Sequence, residues 1–171
     1  MTDTRPPLRA WIAGLVAFAI VIALGIWLRS ASEFGIVDHQ LAGNAERVDA
    51  IQRGWRNEGV RWLAILAMVG DLFFIALYSW GSWLAGRGFM RVANRAVRVI
   101  GLVVAAAAVL FLITDATETG LQLVQLLREA GSDPMARIAA SMQGVKIASW
   151  IATFIGVLGA LAIARFSSAR A

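Results

Sequence analysis

The chain has 171 residues, 59% of them hydrophobic, and a mean hydropathy of +0.70, which exceeds the roughly 45–50% apolar content of soluble domains and indicates an integral membrane protein. The formal charge of +5 comes mainly from arginines at the ends of apolar segments, as in membrane proteins, so we expect no nucleic-acid partner. Cysteine is absent and His39 is the only histidine, which excludes disulfides and thiolate chemistry, and we expect neither a metal nor a cofactor.

The first apolar segment covers about residues 11–28, with Arg9 before it and Arg29 after it. Its length is close to the roughly 20 residues that cross a bilayer. A cleaved signal peptide is the alternative, since Ser30 and Ser32 offer a small-residue cleavage site. The apolar core of such peptides is usually shorter, about 7–15 residues. We therefore expect a retained membrane anchor.

Residues 36–58 are polar overall, but their apolar side chains recur at helical spacing. These apolar positions are Val37, Leu41, Ala45, Val48, Ile51 and Trp55. The pattern predicts an amphipathic surface helix between the first two spans, lying on the membrane or over the mouth of the bundle. It fits either a connector that packs on the bundle or a helix that binds a partner.

Three further apolar segments follow, at about residues 60–84, 97–127 and 138–166. Each is long enough to cross a bilayer as a helix. Together with the first segment they predict an all-α fold, in which residues 1–171 form a single membrane domain built as a four-helix bundle.

The arginines are distributed unequally between the two sides of the predicted bundle. Arg5 and Arg9 precede the first span, and Arg165 and Arg170 follow the fourth. The loop between the second and third spans contains Arg87, Arg91, Arg95 and Arg98. Because arginine-rich loops remain in the cytoplasm, we expect both termini on the cytoplasmic side of a bacterial inner membrane.

Ionisable residues interrupt the apolar spans. They are Asp71, Asp115, Glu118 and Lys146. A charge at the bilayer centre costs at least ~2.5–3.5 kcal/mol, so these side chains need partners. Counting from the span ends places all of these residues in the outer half of the bundle. Tyr78 and Gln122 lie on the same polar helix faces as the ionisable residues. We predict that these side chains form one polar cluster.

The predicted cluster contains more carboxylates than basic groups. Lys146 can pair with one carboxylate, so another must be protonated, bind a cation or reach a further base such as Arg61. Two roles remain open. The cluster is either a buried ion-pair network that orients the helices or a functional site, which is the usual interpretation of ionisable groups inside a membrane.

The last span carries small residues at strict four-residue spacing. They are Ala148, Ala152, Gly156 and Ala160. Small residues at this spacing let helices approach closely. The stripe predicts helix packing within the bundle or, as the alternative, a homodimer or a contact with a partner membrane protein.

Three motifs resemble those of a widespread, uncharacterised group of small bacterial membrane proteins with four spans. They are the segment from Asp71 to Tyr78, the Asp115-x-x-Glu118 pair and Lys146 in the last span. The resemblance extends over about residues 37–165 and implies the four-span fold, but it brings no known activity. The group usually has Asn directly after the glutamate, where this chain has Thr119.

These residues leave three functions open. The first is an accessory or binding protein whose polar pocket takes the headgroup of a membrane lipid, a cation or a partner helix. The second is an intramembrane enzyme for a lipid or isoprenoid substrate, with Asp115 and Glu118 as acid and base. Lys146 or Tyr78 would then polarise the leaving group. The third is a proton- or cation-coupled transporter, for which four spans suffice only in a dimer. We favour the first, because nothing in the sequence requires catalysis.

Overall fold

The structure, a computed structural model, describes residues 8–168, and these residues form helices and loops without a strand. The helices are α1 (Arg9–Ala31), α2 (Ile36–Gln40), α3 (Ala45–Asn57), α4 (Arg61–Phe89), α5 (Arg95–Arg128) and α6 (Asp133–Ser168). The predicted all-α fold is confirmed. Arg5 and Arg170, on which part of the orientation prediction depends, lie outside the described residues.

Four helices, α1, α4, α5 and α6, are long and apolar enough to cross a membrane. Each contains an 18-residue stretch with a mean hydropathy between 1.9 and 2.7. Their outward faces carry large apolar side chains, such as Phe73, Leu102 and Ile155, that are more than half exposed. A surface of this kind is stable against lipid tails but not against water. The fold is therefore that of a membrane protein with four candidate spans.

The four long helices form an up-and-down bundle. α1 packs on α4, α4 on α5, and α5 on α6. Gly14 lies against Tyr78 while Gly70 lies near Leu24, so α1 and α4 are antiparallel. The short loops on either side of α5 make the other neighbouring pairs antiparallel as well. The helices thus pack as a row in the order α1, α4, α5 and α6, and α1 and α6 are the two ends of this row.

Two glycines bring the backbones of α1 and α4 together. A Cβ atom at Gly14 would lie 2.6 Å from the Cα of Tyr78, and one at Gly81 would overlap the backbone of Trp11. Backbone atoms cannot be displaced as the end of a flexible side chain can. Glycine is thus required at both positions, and the contact fixes α1 along one face of α4.

The predicted amphipathic segment is divided into α2 and α3. Gly43 has a φ of +71°, a conformation that disfavours other residue types. Asn44 then caps α3, because its side-chain oxygen accepts a hydrogen bond from Arg47 N at 2.8 Å. The apolar spacing continues across this break, so periodicity alone misses it, whereas a Gly-Asn pair is a typical signal of a turn and a helix start.

α2 and α3 lie across one end of the bundle, which we call the capped end. The backbone N–H of Ala45 donates to Asp133 Oδ1 at 2.7 Å, and the backbone N–H of Gly131 donates to Asp49 Oδ1 at 2.6 Å. These bonds join α3 to the turn between α5 and α6. The segment is therefore a fixed part of the bundle, which agrees with the interpretation as a packed connector.

His39 forms the centre of the contact between α2 and α3. Its ring is buried, with 2% exposure, and stacks on Trp55 at a centroid distance of 5.2 Å. Gln52 Nε2 lies 3.2 Å from His39 Nε2, and because an amide nitrogen is only a donor, this ring nitrogen accepts. Burial lowers the pKa of His39 from 6.5 to about 4. The histidine is neutral in the folded protein at pH 7.

We expect acid to weaken the fold through His39. Above pH 6.5 the ring is neutral in both states, so it contributes nothing to the pH dependence. Between pH 6.5 and about 4 the unfolded chain binds a proton that the folded chain excludes, and stability falls by about 1.4 kcal/mol per pH unit, or about 3 kcal/mol in all. Thermal unfolding in detergent at pH 7 and pH 4.5 measures this loss.

The matched variant for this measurement is His39→Gln, which removes the titrating ring and retains an amide. The informative quantity is the difference between the two proteins. We expect the variant to lose less stability on acidification than the natural chain. Equal losses would show that His39 is not held neutral by burial.

Candidate functional site

The polar residues predicted inside the spans face one another in the half of the bundle nearest the capped end. α5 supplies most of them, because its polar side chains recur every three or four residues and so lie on one face. The buried members of this face are Asp115, Glu118, Thr119, Gln122 and Gln125. α4 contributes Asp71 and α6 contributes Lys146, on the two sides of α5.

Lys146 joins the two acidic residues of α5. Its Nζ lies 3.2 Å from Asp115 Oδ1 and 2.9 Å from Glu118 Oε2. The carboxylates are three residues apart, almost one helical turn, so a single ammonium group can reach both. Gln122 Nε2 donates to the other oxygen of Glu118 at 3.3 Å. The three charged side chains are almost completely buried, which makes the ion pair costly to break.

Asp71 faces this group from α4. Its Oδ2 accepts a hydrogen bond from Thr119 Oγ1 at 2.8 Å. Its partner in this bond is therefore a neutral hydroxyl rather than a cation. Arg61, the further base considered from the sequence, lies at the capped end, where it is 3.2 Å from Glu129 and donates to Leu126 O at 2.9 Å. It does not line the cavity beside Asp71.

A cavity of about 730 Å³ lies beside these residues, between α1 and α6. This volume is in the range of small-molecule sites. Asp71, Asp115, Gln122 and Lys146 line its inner part, whereas Glu118 does not line it. The cavity therefore gives a ligand access to part of the polar cluster while Glu118 stays behind it.

The rim of the cavity opens toward the lipid-facing surface. Ile22 and Ile26 of α1 and Ile147 of α6 line the cavity and are themselves about half exposed or more. At the capped end, Arg29 and Asp38 line the rim, and their charged atoms are 3.8 Å apart. An amphiphile could thus lie with its apolar part between α1 and α6 and its polar part toward Asp71 and Lys146.

Aromatic rings close the cavity on the side away from the capped end. This aromatic layer consists of Phe18, Phe74, Phe111 and Trp150, all of which line the cavity. Phe18 bridges from α1 to α6, with its ring centroid 5.4 Å from that of Trp150. Tyr78 lies behind the layer, where its hydroxyl is 2.9 Å from Thr153 Oγ1. The structure thus separates Tyr78 from the charged cluster, although the sequence grouped them.

The small-residue stripe of α6 has two different environments. A Cβ atom at Gly156 would lie 2.5 Å from Val104 Cγ2 of α5, and Ala160 is fully buried. Ala152 is half-buried and Ala148 is exposed. The half of the stripe farther from the capped end thus packs within the bundle, while the half nearer to it faces outward.

Sequence reasoning missed the parts of the site that α1 and α2 supply. Gly25 and Arg29 line the cavity, as does Asp38. A glycine inside an apolar span was the available signal, because a residue without a side chain either leaves space or lets another helix approach closely. The glycine does not indicate which helices enclose that space.

Comparison with protein-family models, with curated proteins and with solved structures found no match. The class of protein follows from the fold and the site: an all-α membrane protein whose four long helices enclose a laterally open cavity with a charged inner end. Within residues 8–168, no three His, Asp or Glu side chains are grouped so that they could hold a metal ion.

Proposed function

We propose that this protein binds a lipid-like amphiphile in the cavity between α1 and α6, as a small binding or accessory protein of the membrane. The observation that carries the proposal is the division of the cavity into two parts. Ile22, Ile26 and Ile147 give it an apolar rim toward the lipid, and Asp71 and Lys146 give it a polar inner end. Apolar walls with a few convergent polar groups are typical of ligand sites.

Catalysis by the acidic pair has less support. A general acid or base must lie within hydrogen-bond reach of the reacting group. Glu118 is completely buried, is paired with Lys146 and does not line the cavity. Tyr78 is likewise separated from the cavity by the aromatic layer. The geometry supports a site that holds a molecule rather than one that transfers its protons.

We further propose a bacterial inner membrane as the location, with both termini in the cytoplasm. The arginine-rich end of the bundle, around the loop at residues 90–94, would face the cytoplasm, and the capped end would face outward. The resemblance to small four-span bacterial proteins motivates the same location. Reporters that are active only in the cytoplasm, fused to either terminus, test this orientation, and an inactive reporter at both ends would reverse it.

We expect Gly25→Trp to remove the bound amphiphile. Gly25 lines the cavity, and a Cβ atom there meets no atom within 4 Å, so a large side chain can enter the space without displacing the backbone. Extraction in a mild detergent followed by native mass spectrometry measures the molecules retained. The variant should retain at least about tenfold less than the natural protein, equivalent to about 1.4 kcal/mol of binding free energy.

Gly144→Trp is the matched control. Gly144 is exposed on α6, has the same free space around its Cβ and does not line the cavity. We expect it to retain as much amphiphile as the natural chain. The proposal is wrong if the natural protein carries no amphiphile, or if Gly25→Trp and Gly144→Trp carry equal amounts.

A further inference from the structure

The residues around the cavity carry more acids than bases. Its lining includes Asp38, Asp71 and Asp115, and Glu118 lies directly behind it. The two basic groups are Arg29 and Lys146. Arg29 pairs with Asp38, and Lys146 is shared between Asp115 and Glu118. The pairing thus leaves a formal excess of two negative charges, one of them on Asp71.

Buried negative charge of this kind is costly unless it is removed by protonation or paired with a cation. Among residues 8–168, the hydrogen bond to Asp71 comes from the neutral hydroxyl of Thr119, and Asp115 and Glu118 compete for one ammonium group. A charge in a low-dielectric environment is costly until it is paired. A positively charged ligand between Asp71 and Asp115 would lower this cost, whereas a phosphate would add to the excess.

Gln122 gives a second, independent indication of the ligand. Its side chain is 1% exposed and lines the cavity. Its Nε2 donates to Glu118, but Oε1 has no hydrogen-bond partner among residues 8–168. A buried acceptor without a partner costs about 1–3 kcal/mol. An N–H or O–H donor of a molecule bound in the cavity would supply this missing partner.

The aromatic layer suits the same ligand. Cations bind favourably over aromatic faces, and the contact strengthens when water is excluded. Phe18, Phe74, Phe111 and Trp150 line the cavity next to Asp71 and Asp115. Carboxylates beside aromatic rings form a typical environment for an organic ammonium ion, and the apolar rim accommodates a hydrocarbon chain.

We propose that the cavity selects an alkylammonium amphiphile: a primary or secondary ammonium head that contacts Asp71, Asp115 and Gln122, with its hydrocarbon chain between α1 and α6. This inference rests on the proposed function, because it names the chemical class of the amphiphile bound there. The excess of negative charge disfavours an anionic lipid. A neutral alcohol can donate a hydrogen bond to Gln122, but it does not offset the negative charge.

Four probes with the same chain test this selection: dodecylammonium, dodecyltrimethylammonium, dodecyl phosphate and dodecanol. The full-length protein in phosphatidylcholine nanodiscs is incubated with each radiolabelled probe, and uptake by empty nanodiscs is subtracted. We expect the Kd of dodecylammonium to be at least about tenfold lower than the Kd of dodecyl phosphate or of dodecanol. Gly25→Trp should abolish the specific uptake.

Two isosteric variants locate the head group. Asp71→Asn should raise the Kd of dodecylammonium about tenfold, while Glu46→Gln, an equal charge change at an exposed position on α3, should leave it unchanged. Gln122→Met removes the unpartnered acceptor Oε1. It should weaken binding of dodecylammonium but not of the trimethyl probe, which has no N–H to donate. Unchanged melting temperatures show that the variants are folded.

The outcomes separate the two proposals. If dodecanol or dodecyl phosphate binds as tightly as dodecylammonium and Gly25→Trp blocks both, the cavity binds amphiphiles and the selection for ammonium is wrong. If Asp71→Asn and Gln122→Met both leave the Kd of dodecylammonium unchanged, the assigned head-group position is wrong. If no probe shows uptake that depends on Gly25, the proposed function fails as well.

Discussion

We expect Lys146→Met to lower the free energy of unfolding by about 3–5 kcal/mol. Methionine fills a volume similar to that of the lysine side chain, so packing changes little, but the ammonium group that lies 3.2 Å from Asp115 and 2.9 Å from Glu118 is lost. Two buried carboxylates then remain without a cation inside a membrane span. Thermal or denaturant unfolding of the purified protein in detergent measures the loss.

The control for this prediction removes the stranded charges. Adding Glu118→Gln and Asp115→Asn to Lys146→Met replaces the ion pair with neutral groups of the same shape, and such replacements are often neutral or stabilising. We expect this triple variant to recover most of the lost stability. An unchanged Tm of Lys146→Met would contradict the ion-pair network. If the triple variant did not recover the lost stability, the loss would be due to changed packing and not to the stranded charges.

The positions of the spans were predictable because hydropathy is a local property. Each long apolar segment contains the information that it is a helix of membrane-spanning length, as α1 and α5 illustrate. The polar face of α5 was equally accessible, because the spacing of Asp115, Glu118 and Gln122 is a property of one helix. Counting residues along antiparallel spans then placed Lys146 at the same depth as this face.

The cavity could not be predicted, because it depends on which helices are neighbours. Hydropathy does not show that α1 and α6 stand at the ends of the row, nor that Phe18 bridges them to Trp150 while leaving a space nearer the capped end. The same limit explains why the sequence grouped Tyr78 with the charged cluster. Tyr78 shares a helical face with Asp71, but two turns along the helix the aromatic layer intervenes.

We expect Gly81→Ala to destabilise the protein by about 3 kcal/mol, the upper end of the usual cost of overpacking. The added methyl group would overlap the backbone of Trp11, and no side-chain rearrangement relieves a clash with backbone atoms. The contact between α1 and α4 must therefore open. Because Ile22 and Gly25 of α1 line the cavity, the variant should also lose amphiphile retention. Unfolding in detergent and native mass spectrometry measure the two effects.

Gly70→Ala on the same helix is the matched control. A Cβ atom there would lie 3.6 Å from Leu24 Cδ1, an ordinary van der Waals distance. Alanine is also the better helix former, so we expect this variant to be as stable as the natural chain or slightly more stable. Equal stability of Gly81→Ala and Gly70→Ala would mean that α1 is not held against α4 by direct backbone contact. The wall that α1 gives the cavity would then need another explanation, because the close contact at Gly81 is what holds that helix in place.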